Sequence, residues 1–238
     1  AWRLGSRYAW GPCRSVAASL ADLLPPPGHG SNRPFDGGIG YLETGRGCPL
    51  RCAFCCYNQR RRTASYLDAA DVVRRVKVLR DRGAREIRFI DPTFNSNPWF
   101  EVIVSALAVL NSDRRLRFFA ELRAETVTRA QADLLRAANF TDIEVGVQSR
   151  DRGVLCAIRR PTVLSALDRG IELLAARGIR LTVDVMCGLP GQGMRDVSAS
   201  VRWAARIPRA RVQFLHTLLL PGTELRTRKG AMGLRAQS

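Results

Sequence analysis

Apolar and polar positions along this chain change period in a regular order from residue 39 onward. Short apolar runs predict strands over residues 39–44, 86–90, 116–122, 142–147, 179–185 and 211–216. Between them, apolar residues recur at helical spacing. Val72, Val73, Val76 and Leu79 fall on one side of a helix over 67–82, with Asp68 near its start and Gly83 past its end. Helices are also predicted over 98–111, 128–138, 163–177 and 194–206, with Thr128 as an N-cap and Gly178 as a stop. Six strands alternating with five helices predict a parallel sheet with helices outside it.

Residues 1–38 show no sustained period. Leu20 to Leu24 could close a short helix that Pro25-Pro26-Pro27-Gly28 would end, and residues 28–38 have the composition of a linker. This region is expected to be the tail of something upstream. Residues 39–225 are expected to form the working domain, and 226–238 the start of a C-terminal region that continues. Ala1 stands where an initiator methionine would.

Composition changes this picture little. A chain of 238 residues, 46% hydrophobic and 25% charged, suits one substantial soluble domain. No apolar run is long enough to span a bilayer, and a cytoplasmic setting is expected. The net charge of +17 suggests a polyanionic partner. It comes almost wholly from arginine, since the only lysines among 38 basic residues are Lys77 and Lys229. That skew reads more simply as coding bias, and nucleic acid is the less favoured partner. Arg60-Arg61-Arg62 is the one tight cluster and reads as a solvated loop, with phosphate contact as the alternative.

The chemistry is concentrated in Gly47-Cys48-Pro49-Leu50-Arg51-Cys52-Ala53-Phe54-Cys55. If this segment winds as a loose helix, thiols at i, i+4 and i+7 converge on one side. Three thiolates can ligate three irons of a [4Fe–4S] cluster and leave the fourth iron open. Zinc would want four closed ligands, and only Cys52 and Cys55 have knuckle spacing. Cys56 follows directly, and adjacent residues rarely point at one metal. The loop follows the first strand, so it lies at the C-terminal ends of the strands, where parallel barrels carry their chemistry.

The three cysteines, with Phe54 before the third, resemble the signature of the radical S-adenosylmethionine (radical SAM) enzymes. Phe89-Ile90-Asp91-Pro92-Thr93-Phe94, Ile143-Glu144-Val145-Gly146-Val147-Gln148-Ser149, Gly188-Leu189-Pro190-Gly191 and Leu220-Pro221-Gly222-Thr223 are similar to stations of the branch that often carries a cobalamin-binding domain. The resemblance runs over about residues 39–225. It implies an α/β fold, a partial (β/α)6 TIM-like barrel with parallel strands. It implies a [4Fe–4S] cluster on Cys48, Cys52 and Cys55 that cleaves S-adenosylmethionine to a 5′-deoxyadenosyl radical, for methyl transfer or rearrangement of an unknown substrate. An electron donor such as flavodoxin or ferredoxin and a small-molecule substrate are the implied partners. Cobalamin is expected to be held outside this chain, because no Asp-x-His-x-x-Gly motif is present and the residues around His29 do not supply one.

Strand-end position then suggests cofactor contacts. Phe54 packs on the adenine, and Asp91 meets the methionyl amine. Glu121 and Arg123 end the third strand, where Arg123 could pair with the methionyl carboxylate or with a neighbouring glutamate. Glu144 and Gln148 share one face of the fourth strand, placing Gln148 near the ribose. Gly188, Pro190 and Gly191 let backbone approach a ligand. His216 ends the sixth strand, Cys156 and Cys187 read as structural, and no catalytic residue is assigned. The competing readings are a transfer-RNA-modifying methylthiotransferase-like enzyme and a non-catalytic Fe–S or zinc protein.

Overall fold

The computed structural model describes residues 2–4, 7–9, 38–57 and 64–235. Six parallel strands form one sheet: β1 (Ile39–Leu42), β2 (Glu86–Phe89), β3 (Arg117–Leu122), β4 (Phe140–Gln148), β5 (Arg180–Cys187) and β6 (Arg211–His216). Their spatial order is their order in the chain, and each pairs only with its sequence neighbours. β1 and β6 are the two edges, so the barrel is partial. This is the expected (β/α)6 arrangement.

The helices follow the expected alternation: α1 (Ala69–Asp81), α2 (Phe100–Leu110), α3 (Arg129–Ala138), α4 (Arg152–Ala157), α5 (Leu164–Ala175), α6 (Met194–Ala204) and α7 (Glu224–Thr227). Their ends have chemical causes. Asp68 caps α1 by accepting from the Asp71 N–H. Thr128 and Gln131 cap α3 reciprocally, each side chain bonded to the other's backbone N–H at 3.1 Å. Gly178, at φ +71°, turns the chain after α5. The α4 and α7 segments are too short to show a period and were not expected. Nor was an antiparallel pairing of Trp2–Leu4 with Arg7–Ala9 in the region read as a tail. The helix expected at residues 20–24 and the arginine cluster at 60–62 lie outside the described residues.

The sheet is two-faced. On the helix side, Ile87, Phe89, Phe118, Ala120, Ile143, Val145, Val183 and Val185 are fully buried. Phe89, Phe94, Phe118 and Phe140 stack there, with the Phe89 and Phe94 rings 4.4 Å apart. Residues of opposite parity give the concave face a polar surface. Arg88 lies over the Phe119 ring at 5.1 Å, Asp142 pairs with Arg180 at 2.7 Å, and Glu121, Glu144 and Asp184 follow toward the C-terminal ends. Parallel sheets are ordinarily apolar on both faces; this one keeps a polar interior at the cost of burying carboxyl groups. A second, smaller apolar cluster joins α4 to the end of β5 through Val154, Leu155, Ile158, Met186 and Leu189, with Phe54 packed on it.

α5 approaches the rest of the domain more closely than any side chain would allow. A Cβ on Gly170 would lie 1.8 Å from the carbonyl oxygen of Ala124, in the 3-10 turn (Ala124–Thr126) that follows β3.

Candidate active site

The chain leaves β1 through Glu43, Thr44 and a two-residue ladder between Gly45–Arg46 and Ser65–Tyr66. Gly47, at φ +94°, turns it into the cysteine loop. Helical winding is confined to one turn, in which the Cys55 N–H donates to the Cys52 carbonyl at 3.1 Å. The loose helix expected for the whole segment does not form, because outside partners take its backbone. The Ala53 N–H donates to the Ile158 carbonyl at 2.8 Å, and the Ala53 carbonyl accepts from the Leu225 N–H at 2.9 Å. Thus α4 and α7, both unforeseen, clamp the loop.

Cys48, Cys52 and Cys55 nevertheless line one cavity of about 160 Å³, with Phe54, Glu121 and Gln148 on its walls. The thiols sense one another. Burial pushes the Cys55 thiol up, an N–H bond from Tyr57 at 3.4 Å opposes this, and Cys52, Cys56 and Cys48 push it up further. A cationic centre among these sulfurs would reverse that penalty. Among the described residues, no three His, Cys, Asp or Glu side chains converge as ligands of a single ion. A cubane asks for something different. Each thiolate takes its own iron, so the sulfurs must line one cavity rather than touch one point. Cys56 is exposed, Cys156 is exposed on α4, and Cys187 is half-buried at the end of β5.

The remaining wall is polar and incompletely paired. Gln148 sits at φ +66° beyond a register shift between Gly146 and Gln148. That irregularity, not simple alternation, turns it into the cavity, and a Cβ on Gly146 would meet its amide nitrogen at 2.6 Å. Gln148 Oε1, Asp184 Oδ1 and Arg160 Nε are buried with no hydrogen-bond partner among the described residues. Each belongs to a side chain that is only 7% exposed and lines this cavity. Buried polar atoms are normally paired, so three orphans around one space mark a place for a polar ligand.

Two carboxyl groups, Glu121 and Asp184, line that space, and Glu144 neighbours both. Glu121 and Glu144 are register partners on β3 and β4, and Asp184 is opposite Gly146. Burial, then Glu144 through charge and a hydrogen bond, then Glu121 push Asp184 up to about 8, against the pull of Arg160. Burial first and then Glu144 and Asp91 push Glu121 up to about 7. Proton sharing is how a low-dielectric site relieves such crowding. Asp184 and Arg160 were not among the expected site residues.

Several expected contacts are placed elsewhere. Asp91 does not line the cavity. Its carboxylate accepts from the Thr44 N–H at 3.0 Å and the Thr44 hydroxyl at 3.0 Å, tying the start of the cysteine loop to the end of β2. Burial pushes it up to about 6 despite those bonds. Arg123 reaches the cavity wall, but its guanidinium is paired with buried Glu125 and donates to the Pro161 carbonyl at 2.6 Å. Gly188, at φ +81°, and buried Pro190 form the turn after β5, next to Thr217, and neither lines the cavity. His216 is exposed.

This fold has counterparts. The radical SAM superfamily profile matches residues 42–204, and the chain belongs to that superfamily. Among curated relatives, an uncharacterized methyltransferase of Pyrococcus horikoshii is 24% identical over 86% of this chain and 44% of its own length. A tRNA-2-methylthio-N(6)-dimethylallyladenosine synthase of an Anaeromyxobacter species is 31% identical over 73% of this chain and 38% of its own length. The chain thus spans about two fifths of the relatives it matches. Among solved structures, TsrM of Kitasatospora setae, a radical S-adenosylmethionine methyltransferase with cobalamin and a [4Fe–4S] cluster bound, superposes with a TM-score of 0.75 at 22% identity. That match covers 84% of this chain and 38% of TsrM. OxsB, a cobalamin-dependent S-adenosylmethionine radical enzyme, gives 0.58 at 17% identity, over 74% of this chain and 27% of its own. Among the described residues no helix is long and apolar enough to cross a membrane.

Proposed function

We propose that this chain is the catalytic barrel of a radical SAM enzyme. One observation carries the reading: three thiols and three orphaned polar atoms surround the same cavity at the C-terminal ends of the strands. Cys48, Cys52 and Cys55 would hold a [4Fe–4S] cluster, and the cavity they line would also take S-adenosylmethionine. When bound, that pair supplies one electron and a 5′-deoxyadenosyl group that accepts a hydrogen atom.

The chain's own part is to bind and orient. Phe54 offers an apolar wall for a flat ring such as adenine. Gln148 Oε1 and Asp184 Oδ1 accept from donors such as ribose hydroxyls or an ammonium group. Glu121, poised near neutrality, holds or releases a proton beside them. Arg123, paired with Glu125, closes the wall rather than contributing a free charge. Asp91 acts from behind, by fixing Thr44 and so the entry to the cysteine loop. Gly188 and Pro190 shape the neighbouring turn and make no cofactor contact in this reading. A small-molecule substrate enters over the polar concave face, which is open beside exposed β6. A cytoplasmic one-electron donor such as flavodoxin or ferredoxin serves the cluster.

Methyl transfer with cobalamin is the finer reading, supported by the fold shared with TsrM and OxsB and by the methyltransferase relative. A second reading, modification of transfer RNA, is favoured by the 31% identical synthase and by the charge of +17. The test is anaerobic reconstitution with iron and sulfide, reduction, and addition of S-adenosylmethionine. Release of 5′-deoxyadenosine is expected. A reducible cluster that neither binds nor cleaves S-adenosylmethionine would sink the proposal. Tight, selective binding of transfer RNA at physiological salt would move the assignment to the second reading, because non-specific attraction falls steeply with salt.

A further inference from the structure

One positive charge stands behind the cysteines. Arg160 lies in the connection between α4 and α5 and is buried, at a residue exposure of 7%. Nη1 is 3.9 Å from Cys52 Sγ, and Nη2 donates to the Gly146 carbonyl on β4. The same connection also receives the Ala53 N–H at the Ile158 carbonyl, 2.8 Å away. The guanidinium therefore reaches Cys52 from a backbone that is itself bonded to the next residue of the loop. Two independent holds, one on the sulfur and one on the main chain, fix its position. A guanidinium in a protein is a standing positive charge with five N–H donors.

The reduction potential of an Fe–S cluster depends on net charge, hydrogen bonds to the ligand sulfurs and solvent exposure. Reduction adds one negative charge to the cluster and its thiolates. A cation bonded to one ligand sulfur stabilises the reduced form more than the oxidised form. The groups facing Arg160 from the neighbouring strands are carboxyls, Asp184 most directly, and to the extent that they are ionised they act in the opposite direction.

We infer that Arg160 is a positioning residue that sets the potential of the cluster. Its bond to Cys52 Sγ draws charge from that thiolate and makes the cluster easier to reduce. The inference rests on the ligand assignment proposed above. It adds a residue that touches neither iron nor, in this role, S-adenosylmethionine.

The test uses the full 238-residue chain, reconstituted anaerobically and titrated potentiometrically with an electron paramagnetic resonance readout. Arg160→Gln removes the charge. Arg160→Lys keeps it but loses the planar fork that bridges Cys52 and Gly146. Arg159→Gln is the control, since Arg159 is exposed and pairs with Glu224 at 3.0 Å. Arg160→Gln should lower the reduction equilibrium constant about tenfold, which is about 59 mV for one electron. Arg160→Lys should lose less than half of that shift, and Arg159→Gln should stay within about twofold of wild type by the same conversion. An Arg160→Gln potential equal to wild type overturns the inference and leaves the ligand assignment standing. Loss of the cluster from both Arg160 variants, with unchanged circular dichroism, makes Arg160 a mechanical prop and also overturns it. A wild-type chain that assembles no cluster removes both the inference and the assignment beneath it.

Discussion

Replacing Gly170 with alanine should destabilise this protein, against the usual sign of that change in a helix. In an open helix interior, Gly→Ala gains roughly 1 kcal/mol, because alanine restricts the unfolded backbone and favours the helical state. Gly170 is not in an open position. Its Cβ would sit 1.8 Å from the Ala124 carbonyl oxygen and 2.6 Å from the Ala124 carbonyl carbon, and real Cβ contacts essentially never fall under 3.0 Å. Both obstacles are backbone, so no side chain can swing away. Either α5 lifts off the turn after β3 or that turn is pushed inward. Lifting α5 loosens Leu167, Ile171 and Leu174, all fully or almost fully buried. Overpacking of this kind costs about 1–3 kcal/mol, and loosening two or three buried aliphatic side chains adds a comparable amount. After the helical gain is subtracted, a net loss of about 2–4 kcal/mol remains. Urea unfolding of the cluster-free chain, followed by far-ultraviolet circular dichroism, measures it. With a slope of about 2 kcal/mol per molar urea, the midpoint should fall by about 1–2 M with little change in slope. A midpoint that is unchanged or higher would refute the reasoning. Ala124 directly follows Arg123, so the same variant should also disturb the cavity wall.

Single changes of Cys48, Cys52 or Cys55 to alanine should abolish the [4Fe–4S] absorption after reconstitution, while Cys56→Ala should keep most of it; the reverse pattern would overturn the ligand assignment. The cluster-free chain should lose stability as pH rises. Asp91, Glu121 and Asp184 are held up to about 6, 7 and 8 in the folded chain, so the folded state binds their protons more tightly than the unfolded state. Their contribution is complete below the ordinary carboxylate range of about 4 and drains away up to pH about 8. Thermal midpoints at pH 5 and pH 9 test the sign, and Asp184→Asn should flatten the upper half of the curve. Gln148→Ala should weaken S-adenosylmethionine binding by about 1 kcal/mol in an equilibrium dialysis measurement and spare the cluster spectrum, as expected for one net hydrogen bond.

The strands and most of the helices were legible because period and capping agree along the chain. Thr128 with Gln131, Asp68 before α1 and Gly178 after α5 each mark an end in the residue types themselves. The convergence of the three cysteines on one cavity was legible from their spacing. The clamp around them was not. α4 and α7 contain six and four residues, too few for a repeat to emerge. Arg160 is hidden in a chain where arginine is the default basic residue. Asp184 did leave a signal, a lone acid inside Leu-Thr-Val-Asp-Val-Met, which burial on a concave face explains. Asp91 was read at a strand end beside the cofactor, and its bonds to Thr44 were not legible, because a sequence does not show that Thr44 lies within 3.0 Å of it. The inward turn of Gln148 depends on a positive φ and a register shift, neither of which a strand pattern encodes.

The clamp on the cysteine loop also fixes when the site can exist. Sheet order equals chain order, so most of the barrel can grow by neighbour-to-neighbour pairing as the polypeptide emerges. The loop is the exception. It is made early, yet the Ala53 N–H waits for Ile158, Cys52 for Arg160 at a separation of 108 residues, and the Ala53 carbonyl for Leu225. Until those residues arrive, the three thiols belong to a tether of the first strand and face solvent without a wall behind them. During synthesis, the chain therefore passes through a long interval in which its most oxidisable groups are exposed and its cavity is absent. Iron and sulfide delivered in that interval meet a flexible peptide. Delivered after residue 225 has docked, they meet a formed cavity. Maturation of the cluster is tied by topology to the completion of this barrel.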